Sequence, residues 1–544
     1  MAIRMSGMIS GLDTDAIVSE LVKAYSTKVE TYEKAQTKLS WKQDAWKSLN
    51  SEVYSLYKTV GNMRYSSAYS LKTASVSDST KATVSASSEA VNGTQKLKIN
   101  ELAQSAYLTG DEISSSSITT STTLAELGYS GSENIEFTVG TGDDAKTTSI
   151  AIDENTKISD VLNQLKSAGV NASFDTTYNR FYVSAKTSGA DSSFSFSTDY
   201  SGEGTSALST LGLASTDNYI EGKDAEIELN GVTYTGNSNS FTINGLTINA
   251  QAVTTDPITI TTATDSQGLY DKIKSFLNDY NDLINEMTSL YNADSAKGYE
   301  PLTDDEKDAM SETEIEKWET KIKDSLLRRD STLNGIMSVM INAMSGSVTM
   351  DTNGNAVTYD SDAGYYTYKG AALVDADGNN ITNSTQLRSF INSSANTEGI
   401  STYSLGSFGI KTLGVLNAAD NEQYAYHIDG DEDDSDTSGN ADKLLTAINQ
   451  NPEVVEAFFK NLSSNLYSAI DAKMKSTTLS SAYTIYNDKE MSQEYSDYTD
   501  TISDWEDKLQ DLEDYYYDKF SAMETALAEL QSNTSALSTL LGTG

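Results

Sequence analysis

The chain has 544 residues, of which 38 are Lys or Arg and 79 are Asp or Glu, for a formal net charge of -41. Because nucleic acids and anionic membrane surfaces bind clustered Lys and Arg, this acidic excess argues against both as partners. The absence of cysteine excludes disulfides, thiolate metal sites and cysteine nucleophiles, and imidazole chemistry would depend on His427 alone.

The sequence offers no membrane-spanning or secretory segment. No stretch approaches the roughly 20 apolar residues that a membrane span needs. The start, MAIRMSGMISGL, lacks the continuous apolar core of a signal peptide. We therefore expect a soluble protein, without membrane insertion, that does not use the general secretory route.

The N-terminal segment has a heptad pattern. Apolar residues recur at every seventh position, at Val18, Tyr25, Tyr32, Leu39, Trp46, Val53 and Val60. A second seam of residues seven apart begins with the apolar Val22 and Val29 and continues with the polar Gln36, Gln43 and Asn50. From there on the apolar residues stand one heptad position earlier, at Leu49, Leu56 and Met63. The pattern predicts a coiled coil whose polar positions fix register or partner. The alternative is a single amphipathic helix lying on a domain.

The middle of the chain is β-rich. Residues 157–189 predict a short helix that ends at Gly169, followed by a two-stranded ribbon. The segments AEIELNGVTY (225–234) and FTINGLTINA (241–250) each alternate apolar and polar residues across an Asn-Gly pair. Such pairs are the strongest short-range signal for a β-hairpin.

Helical periodicity resumes at Leu269 and is followed by two capping boxes. Thr303 precedes Glu306 by three positions, and Ser311 precedes Glu314 in the same way. These structural caps predict a very short helix, a break and a longer helix within residues 301–327. We expect Trp318 and Leu326 to be buried against neighbouring helices, and Ser311→Ala to loosen this corner by about 1 kcal/mol.

Three further segments precede the C-terminal helix. Residues 347–398 are turn-rich and strand-like, and they predict an insertion. Residues 429–436, DGDEDDSD, form the densest acidic run, which a solvated loop explains best. Residues 441–470 are helical again, with Pro452 at a helix start.

The C-terminal segment mirrors the N-terminal one. Its first seam consists of Ile502, Leu509, Tyr516, Met523, Leu530 and Leu537, and its second contains Trp505 and Leu512. Lysines are frequent along the N-terminal helix, whereas Asp and Glu dominate residues 494–530. Opposite charges flanking two apolar seams predict that the two ends pair with each other.

No set of residues indicates catalysis or a bound metal. Asp351 and Asp375 begin fragments that resemble calcium loops, but Gly stands at the fourth position instead of the sixth. Turns between strands explain both fragments better. We predict no catalytic residue, no metal site and no cofactor.

Several segments resemble the bacterial flagellar filament cap family, also called hook-associated protein 2. They are SGMISGLDTDAIVSELV (6–22), KLKINELAQSA (96–106), the repeat-like units 157–189 and 221–250, LYDKIKSFLNDYNDLINEM (269–287), the capped stretch 301–330, and residues 504–537. In the last segment, Phe520, Met523 and Glu524 stand in the family's most typical place.

The resemblance implies an α+β multidomain fold in which long terminal helices pair as a leg and β-rich head domains are inserted between them. We expect these segments in chain order: 1–70, N-terminal coiled-coil leg; 71–106, start of the inner helix-and-strand domain; 107–263, β-rich head with hook- and cap-type repeats; 264–346, return helices with the corner 301–327; 347–398, β-rich insertion; 399–470, return to the inner domain; 471–544, C-terminal coiled-coil leg.

The resemblance also implies a function. Family members form an oligomeric ring at the distal filament tip, promote flagellin polymerisation and filament elongation, and stop flagellin leaking away. They are extracellular and leave through the flagellum's own type III export apparatus, with an export chaperone bound to the C-terminal helix. The seam residues above would then contact the filament.

Two other functions compete with this one. The β-rich head could be an adhesin that binds host mucin, which a binding assay on the isolated segment 107–263 would test. A hydrolase in residues 107–263 or 347–398 is opposed by the single histidine and the turn-rich composition.

Overall fold

The computed structural model describes residues 10–115, 117–201 and 205–542. The chain divides into two compact units, one of Met1–Tyr69 with Ser266–Gly544 and the other of Ser70–Asp265. Helices dominate the first unit and strands the second. None of the described helices combines the length and the apolar composition that crossing a bilayer requires.

The helices of the described residues follow one another in this order: α1 Thr14–Asn62, α2 Ile158–Ser167, α3 Ala207–Thr210, α4 Ser266–Asn292, α5 Asp304–Asp308, α6 Glu312–Asp324, α7 Ser331–Met344, α8 Ser384–Ile391, α9 Lys443–Gln450, α10 Pro452–Lys473 and α11 Asp488–Leu541. Asp13 caps α1, since its carboxylate accepts the Ala16 backbone N–H at 3.0 Å. No proline interrupts α1 or α11, which is why both helices run to their full length.

The strands of the second unit are β1 Lys72–Val76, β2 Ala82–Ala86, β3 Gly93–Glu101, β4 Tyr107–Thr109, β5 Ser132–Val139, β6 Lys146–Asp153, β7 Val170–Asp175, β8 Arg180–Ala185, β9 Phe194–Thr198, β10 Tyr219–Ile220, β11 Ala225–Leu229, β12 Val232–Gly236, β13 Ser240–Ile243, β14 Leu246–Ala250 and β15 Ile258–Thr264. Those of the first unit are β16 Val348–Met350, β17 Val357–Asp360, β18 Tyr365–Tyr368, β19 Ala371–Ala372, β20 Ser401–Tyr403, β21 Ile410–Lys411 and β22 His427–Ile428.

The second unit contains two hydrophobic cores. One lies between a five-stranded sheet, β1-β15-β3-β11-β12, and a three-stranded sheet, β13-β14-β2. The other involves the sheets β10-β4-β8-β7 and β6-β5-β9 together with α2. The strands of residues 71–106 therefore belong with the β-rich unit and not with the return helices. The sequence missed this because β3 pairs with β11 and β15, more than a hundred residues away.

Turn chemistry accounts for both predicted hairpins. Asn230 and Gly231 have φ values of 51° and 84°, and Asn244 and Gly245 have φ values of 48° and 78°. Positive φ at both central positions defines the type I′ turn that suits a two-residue hairpin. The hairpins β11–β12 and β13–β14 follow in the expected register.

In the first unit, helices surround an aromatic and aliphatic core. Phe276 and Tyr280 of α4 and Phe458 and Phe459 of α10 are fully buried. The predicted helix at 441–470 is in fact two helices, α9 and α10, separated at Asn451, and Pro452 opens the second as predicted. Residues 347–398 contain strands and the helix α8, and they build a small core of their own.

Candidate assembly interface along the terminal helices

The two long terminal helices pack against each other in antiparallel orientation. The ring of Tyr25 lies 6.0 Å from that of Trp505, and the ring of Tyr32 lies 6.3 Å from that of Tyr498. As the residue number rises along α1 it falls along α11, which defines the antiparallel register.

The seam residues of α1 are buried. They are Val18, Val22, Val29, Leu39, Trp46, Val53 and Val60. Two members of the predicted seam differ, since Tyr32 is half-buried and Tyr25 is 37% exposed. Both still contribute their ring faces to the contact with α11.

The seam residues of α11 are less well covered. Ile502, Trp505, Leu509, Leu512, Tyr516, Phe520 and Met523 are all half-buried. Leu530 and Leu537 are 65% and 60% exposed, so they do not belong to the helix–helix seam within this chain. The physical reason is length, because Asp15 at the start of α1 already lies beside Tyr517. A role for Leu530 and Leu537 in filament contact stays a prediction.

The drift of the α1 seam coincides with a change of packing partner. Trp46 stacks on Tyr486, just before α11 begins, with ring centroids 5.5 Å apart. Beyond this point α1 packs against α4 and α10, and Leu49, Leu56 and Met63 are fully buried there. The shift by one heptad position thus turns the apolar stripe from α11 toward α4 and α10.

Two polar residues of the α1 seam, Gln36 and Asn50, form hydrogen bonds with the C-terminal part of the chain. The Gln36 amide donates to the Tyr495 carbonyl at 3.3 Å and to the Thr499 hydroxyl at 2.7 Å. Asn50 donates to the Tyr483 carbonyl at 3.2 Å, and its own carbonyl accepts the Ile485 N–H at 2.9 Å. Such contacts form in one register only, which fits a register-fixing role for the polar seam positions.

A buried carboxylate joins the two chain ends. The Ser10 backbone N–H lies 3.3 Å from each carboxylate oxygen of Glu524, and the Ser10 hydroxyl also donates to Glu524. Glu524 is 1% exposed, and the Tyr517 hydroxyl donates to Asp15 at 3.0 Å nearby. The described part of the motif at 6–22 therefore meets the motif at 504–537 in space.

The opposite charges that flank the two seams form no ion pair between α1 and α11 in the described part of the chain. Lys34 pairs instead with Glu306 at 2.7 Å, and Lys42 with Asp330 at 3.0 Å. The Lys28 ammonium lies 4.2 Å from the centroid of a Trp505 ring. The helices pair as predicted, and apolar, aromatic and amide contacts join them.

The capped corner braces α1. The Thr303 hydroxyl accepts the Glu306 N–H at 3.2 Å, and the Glu306 carboxylate accepts the Thr303 N–H at 2.8 Å. The ammonium of Lys34 is the main cause that holds the pKa of Glu306 below its usual range. Lys323 of α6 lies over the ring of Trp41, 4.5 Å from its centroid.

The second capping box contains an additional hydrogen bond. The Glu314 carboxylate accepts the Ser311 N–H at 3.0 Å, as predicted. The Ser311 hydroxyl donates to the same carboxylate at 2.6 Å. Since the oxygen of a hydroxyl can accept while its O–H donates, this bond to the carboxylate is additional to the predicted capping box, which is present.

Burial at the corner differs from the expected pattern. Trp318 is half-buried, packs on the Tyr299 ring at 4.5 Å, and donates its indole N–H to the Glu300 carbonyl at 2.8 Å. Leu326 is also half-buried, whereas Ile322 and Leu327 are fully buried. Trp318 thus holds the preceding loop instead of a neighbouring helix.

A lysine of α4 fastens the acidic loop 429–436. Lys274 of α4 binds Asp431 and Asp433, each at 2.6 Å. Burial alone would lower the pKa of Lys274, but these two hydrogen bonds raise it above its usual range. His427 pairs with Asp434 at 2.7 Å, so the loop is fastened to the helical unit and is not simply solvated.

The calcium-like fragments are Asx turns. Asp351 is 1% exposed, and it accepts the backbone N–H groups of Asn353 and Asn355 at 2.9 and 2.8 Å. The Lys369 ammonium lies 3.2 Å from Asp351, where a cation would otherwise bind. Within the described ranges, no group of three or more His, Asp or Glu side chains is arranged to hold a metal ion.

These features define a class of protein: an α+β structural protein whose terminal helices pair with each other and whose β-rich unit is inserted between them. Matches to family models identify it further. Residues 10–106 match the model for the flagellar hook-associated protein 2 N-terminus, and residues 222–359 and 358–532 match that for its C-terminus. The chain belongs to the flagellar hook-associated protein 2 family.

Individual relatives share between 26% and 28% of the compared residues with this chain. Flagellar hook-associated protein 2 of Halalkalibacterium halodurans is 28% identical over 364 residues, which is 62% of this chain and 68% of the relative. The protein from Thermotoga maritima is 27% identical over 35% of this chain and 30% of its own length. The A-type protein of Pseudomonas aeruginosa is 26% identical over 53% of this chain and 63% of its own length. The chain thus spans less than two thirds of the length of the Thermotoga maritima protein and of the Pseudomonas aeruginosa protein.

A solved structure is also similar. The flagellar cap protein FliD of Escherichia coli, solved as its D1-D2-D3 domains, is 18% identical with a TM-score of 0.45, over 80% of this chain and 97% of that chain. The family matches confirm the resemblance and the assignment to the flagellar filament cap predicted from the sequence, and the helices and strands described above confirm the α+β fold class. The protein is a structural component of the flagellar filament cap. The comparisons give the adhesin alternative no support.

Proposed function

We propose that this chain forms an oligomeric ring at the distal tip of the flagellum, outside the cell. There it promotes flagellin polymerisation and filament elongation, and it prevents flagellin from leaking away. The observation that carries this proposal is the antiparallel pairing of α1 and α11, because the segments matched by the family models contain all of α1 and α11 as far as residue 532.

The unequal burial of the two seams suggests how a cap moves as subunits are added. The α1 seam is buried, whereas the α11 seam is only half-buried, so each α11 contact stabilises the pair modestly. Weak contacts can break and re-form, and ordering on binding permits exchange between partners at an entropic cost. The half-buried face of α11 is then available to flagellin.

Export completes the proposal. The chain leaves the cell through the flagellar type III apparatus, with an export chaperone bound to the C-terminal helix before export. The long exposed surface of α11 supports this part of the proposal. No cofactor or catalysis is required for any of these steps.

Complementation of a cap-deficient bacterium tests the function. The full chain should restore motility and long filaments and should lower the amount of flagellin in the medium. A variant without the residues before Val18 and after Asp500 should do neither, because most of the paired helix is then missing. Motility restored by that truncated variant would contradict the proposal.

Mass measurement in solution and negative-stain microscopy test the ring. A closed oligomer of the purified full chain is the expected result, and dilution should dissociate it. A chain that stays monomeric at every concentration would contradict the ring.

A further inference from the structure

A cleft opens in the first unit where two short strands separate. β16 and β17 share one bridge, between Met350 and Ala356, while β16 belongs to a sheet with β20 and β17 to a sheet with β18 and β19. The cleft between them has a volume of about 720 Å³, and residues of α8 and α10 complete its lining. One edge of β17 therefore faces a space that no other strand of the described residues fills.

The register of β17 determines which of its backbone groups face this space. Tyr359 lies opposite Tyr366 of β18. The two residues are not hydrogen-bonded to each other, because the Tyr366 N–H donates to the Ile381 carbonyl at 2.7 Å and its carbonyl accepts the Leu373 N–H at 2.8 Å. In an antiparallel pair, such opposite residues direct their backbone groups away from each other. The N–H and the carbonyl of Tyr359 therefore point away from β18, and no described residue forms a hydrogen bond with either group.

The charge of the cleft favours an acidic ligand. Arg388 of α8 is exposed, forms no ion pair with the described residues, and is the only charged side chain among those that line the cleft. None of these lining residues is Asp or Glu, although the chain contains 79 such residues. An arginine without a carboxylate partner in so acidic a chain is free to bind a carboxylate from another molecule, and its planar fork of N–H donors suits that group.

Apolar and aromatic side chains lie at the same cleft. Val357 of β17 and Leu387 of α8 are buried in one small core, and the half-buried Ile391 packs against it. Tyr359 is 51% exposed, and its ring lies 5.0 Å from that of Tyr366. An extended peptide places every second side chain on one side, so a segment that alternates apolar and acidic residues on that side matches the lining.

We propose that this cleft binds an extended acidic segment of a partner protein. The segment adds a strand to the free edge of β17, with its backbone bonded to the N–H and the carbonyl of Tyr359 and a carboxylate paired with Arg388. In strand addition the backbone hydrogen bonds supply affinity, and the side-chain positions supply specificity. The site goes beyond the proposed ring, because it involves neither the terminal helices nor a second copy of the chain.

Fluorescence anisotropy of a labelled peptide tests the site on the purified full chain. The probe is the end-capped peptide Val-Thr-Glu-Thr-Val, and the same peptide with Gln in place of Glu is its neutral counterpart. We expect the Glu peptide to bind about tenfold more tightly, because its carboxylate forms charge-assisted hydrogen bonds. Arg388→Gln should remove this difference, whereas Arg328→Gln, at an exposed arginine outside the cleft, should preserve it. Equal binding of the two peptides to the wild type would overturn the inference.

Removal of one backbone donor tests strand addition separately. Tyr359→Pro deletes the N–H that faces the cleft but no N–H that pairs β17 with β18. It should abolish binding of the Glu peptide, whereas Tyr359→Ala loses the same ring, keeps the N–H and should retain binding. Equal loss of binding in the two variants would refute strand addition. If thermal unfolding shows that Tyr359→Pro destabilises the protein, Arg388→Gln, at an exposed side chain, still decides the inference.

Mass measurement in solution distinguishes a partner protein from a second copy. Arg388→Gln and Tyr359→Pro should have the oligomeric state of the wild type, because the ring does not use the cleft. A smaller oligomer in both variants would make a second copy the occupant and would overturn the partner. A wild-type chain that stays monomeric yet binds the Glu peptide contradicts the proposed ring and supports the cleft.

Discussion

Individual polar residues determine how the elements of this protein are placed. Buried or half-buried carboxylates are satisfied by nearby donors, as Glu524 is by Ser10 and Asp351 by Lys369. Leaving such a group unpaired costs more than the hydrogen bond itself contributes, so each carboxylate restricts its surroundings to one arrangement. The effect of a substitution therefore depends on what the side chain donates or accepts.

The two capping boxes make a prediction at this scale. Thr303→Ala should lower the free energy of unfolding by about 1 kcal/mol, because the Glu306 N–H loses its acceptor. Ser311→Ala should also cost about 1 kcal/mol, because its hydroxyl belongs to a capping box of the same kind. Urea unfolding of both variants measures the two losses. Unchanged stability of Ser311→Ala would count against the second cap.

A carboxyl pair between α1 and α4 predicts a pH dependence. Burial, followed by a hydrogen bond and repulsion from Glu52, raises the pKa of Glu286 to about 7. A raised carboxyl pKa favours the protonated form in the folded state. Its stabilising contribution is thus present below the ordinary pKa of about 4.5 and is lost as pH rises through 7.

Glu286→Gln should therefore stabilise the protein at pH 8 by about 1 kcal/mol, after allowance for solvent screening, and have little effect at pH 4.5. Thermal unfolding of variant and wild type across this range measures the difference. Asp294→Asn, an exposed site just beyond the end of α4, is the control and should show no such trend. A difference independent of pH would refute the carboxyl pair.

At the scale of elements, α1 has two successive partners. Its first part pairs with α11 and its last part packs against α4 and α10. Asn50 lies where one packing partner gives way to the other. Periodicity predicted the helix and even the drift of its stripe. It could not predict the second partner, because α10 lies some four hundred residues later in the chain, as the hydrogen bond between Tyr57 and Tyr467 illustrates.

Asn50 should be the most sensitive polar position in this seam. Asn50→Leu leaves the Tyr483 carbonyl and the Ile485 N–H without partners and should cost about 2 kcal/mol. Gln43→Leu is the matched control, since Gln43 is a polar seam residue without a side-chain hydrogen bond in the described structure, and it should be neutral or stabilising. Denaturant unfolding measures both, and hydrogen exchange in residues 480–487 should rise only in Asn50→Leu. A larger loss in Gln43→Leu would refute the register role of Asn50.

At the scale of the whole molecule, the two units have separate cores. The cores of the second unit consist of residues between Ala82 and Ile260 alone. Its first and last strands, β1 and β15, pair with each other in antiparallel register, so the unit is closed by its own ends. Such a segment has what independent folding requires.

Residues 70–265 expressed alone should therefore fold. The expected result is β-type circular dichroism with a cooperative thermal transition. Residues 107–263, the head predicted from the sequence, serve as the comparison and should be less stable, because they lack β1, β2 and β3. Equal stability of the two fragments would contradict the assignment of these strands to the unit.

Local signals in the sequence determined a large part of this protein. Heptad spacing specified α1 and α11, Asn-Gly pairs specified two hairpins, and the spacing of Thr303 and Glu306 specified a helix start. Each of these depends on residues a few positions apart, so a short window contains the whole cause. Several of the same segments carried the resemblance to the flagellar hook-associated protein 2 family.

Only the tertiary structure decided which groups meet across long separations. It paired Lys34 and Lys42 with Glu306 and Asp330 instead of the acids of α11, joined β1–β3 to the β-rich unit, and left Leu530 and Leu537 beyond the end of α1. In so acidic a chain each lysine is attracted about equally to many carboxylates, and the sequence alone does not show with which of them it pairs. Packing of the apolar faces brings particular elements together, and only then is the partner of each charge determined.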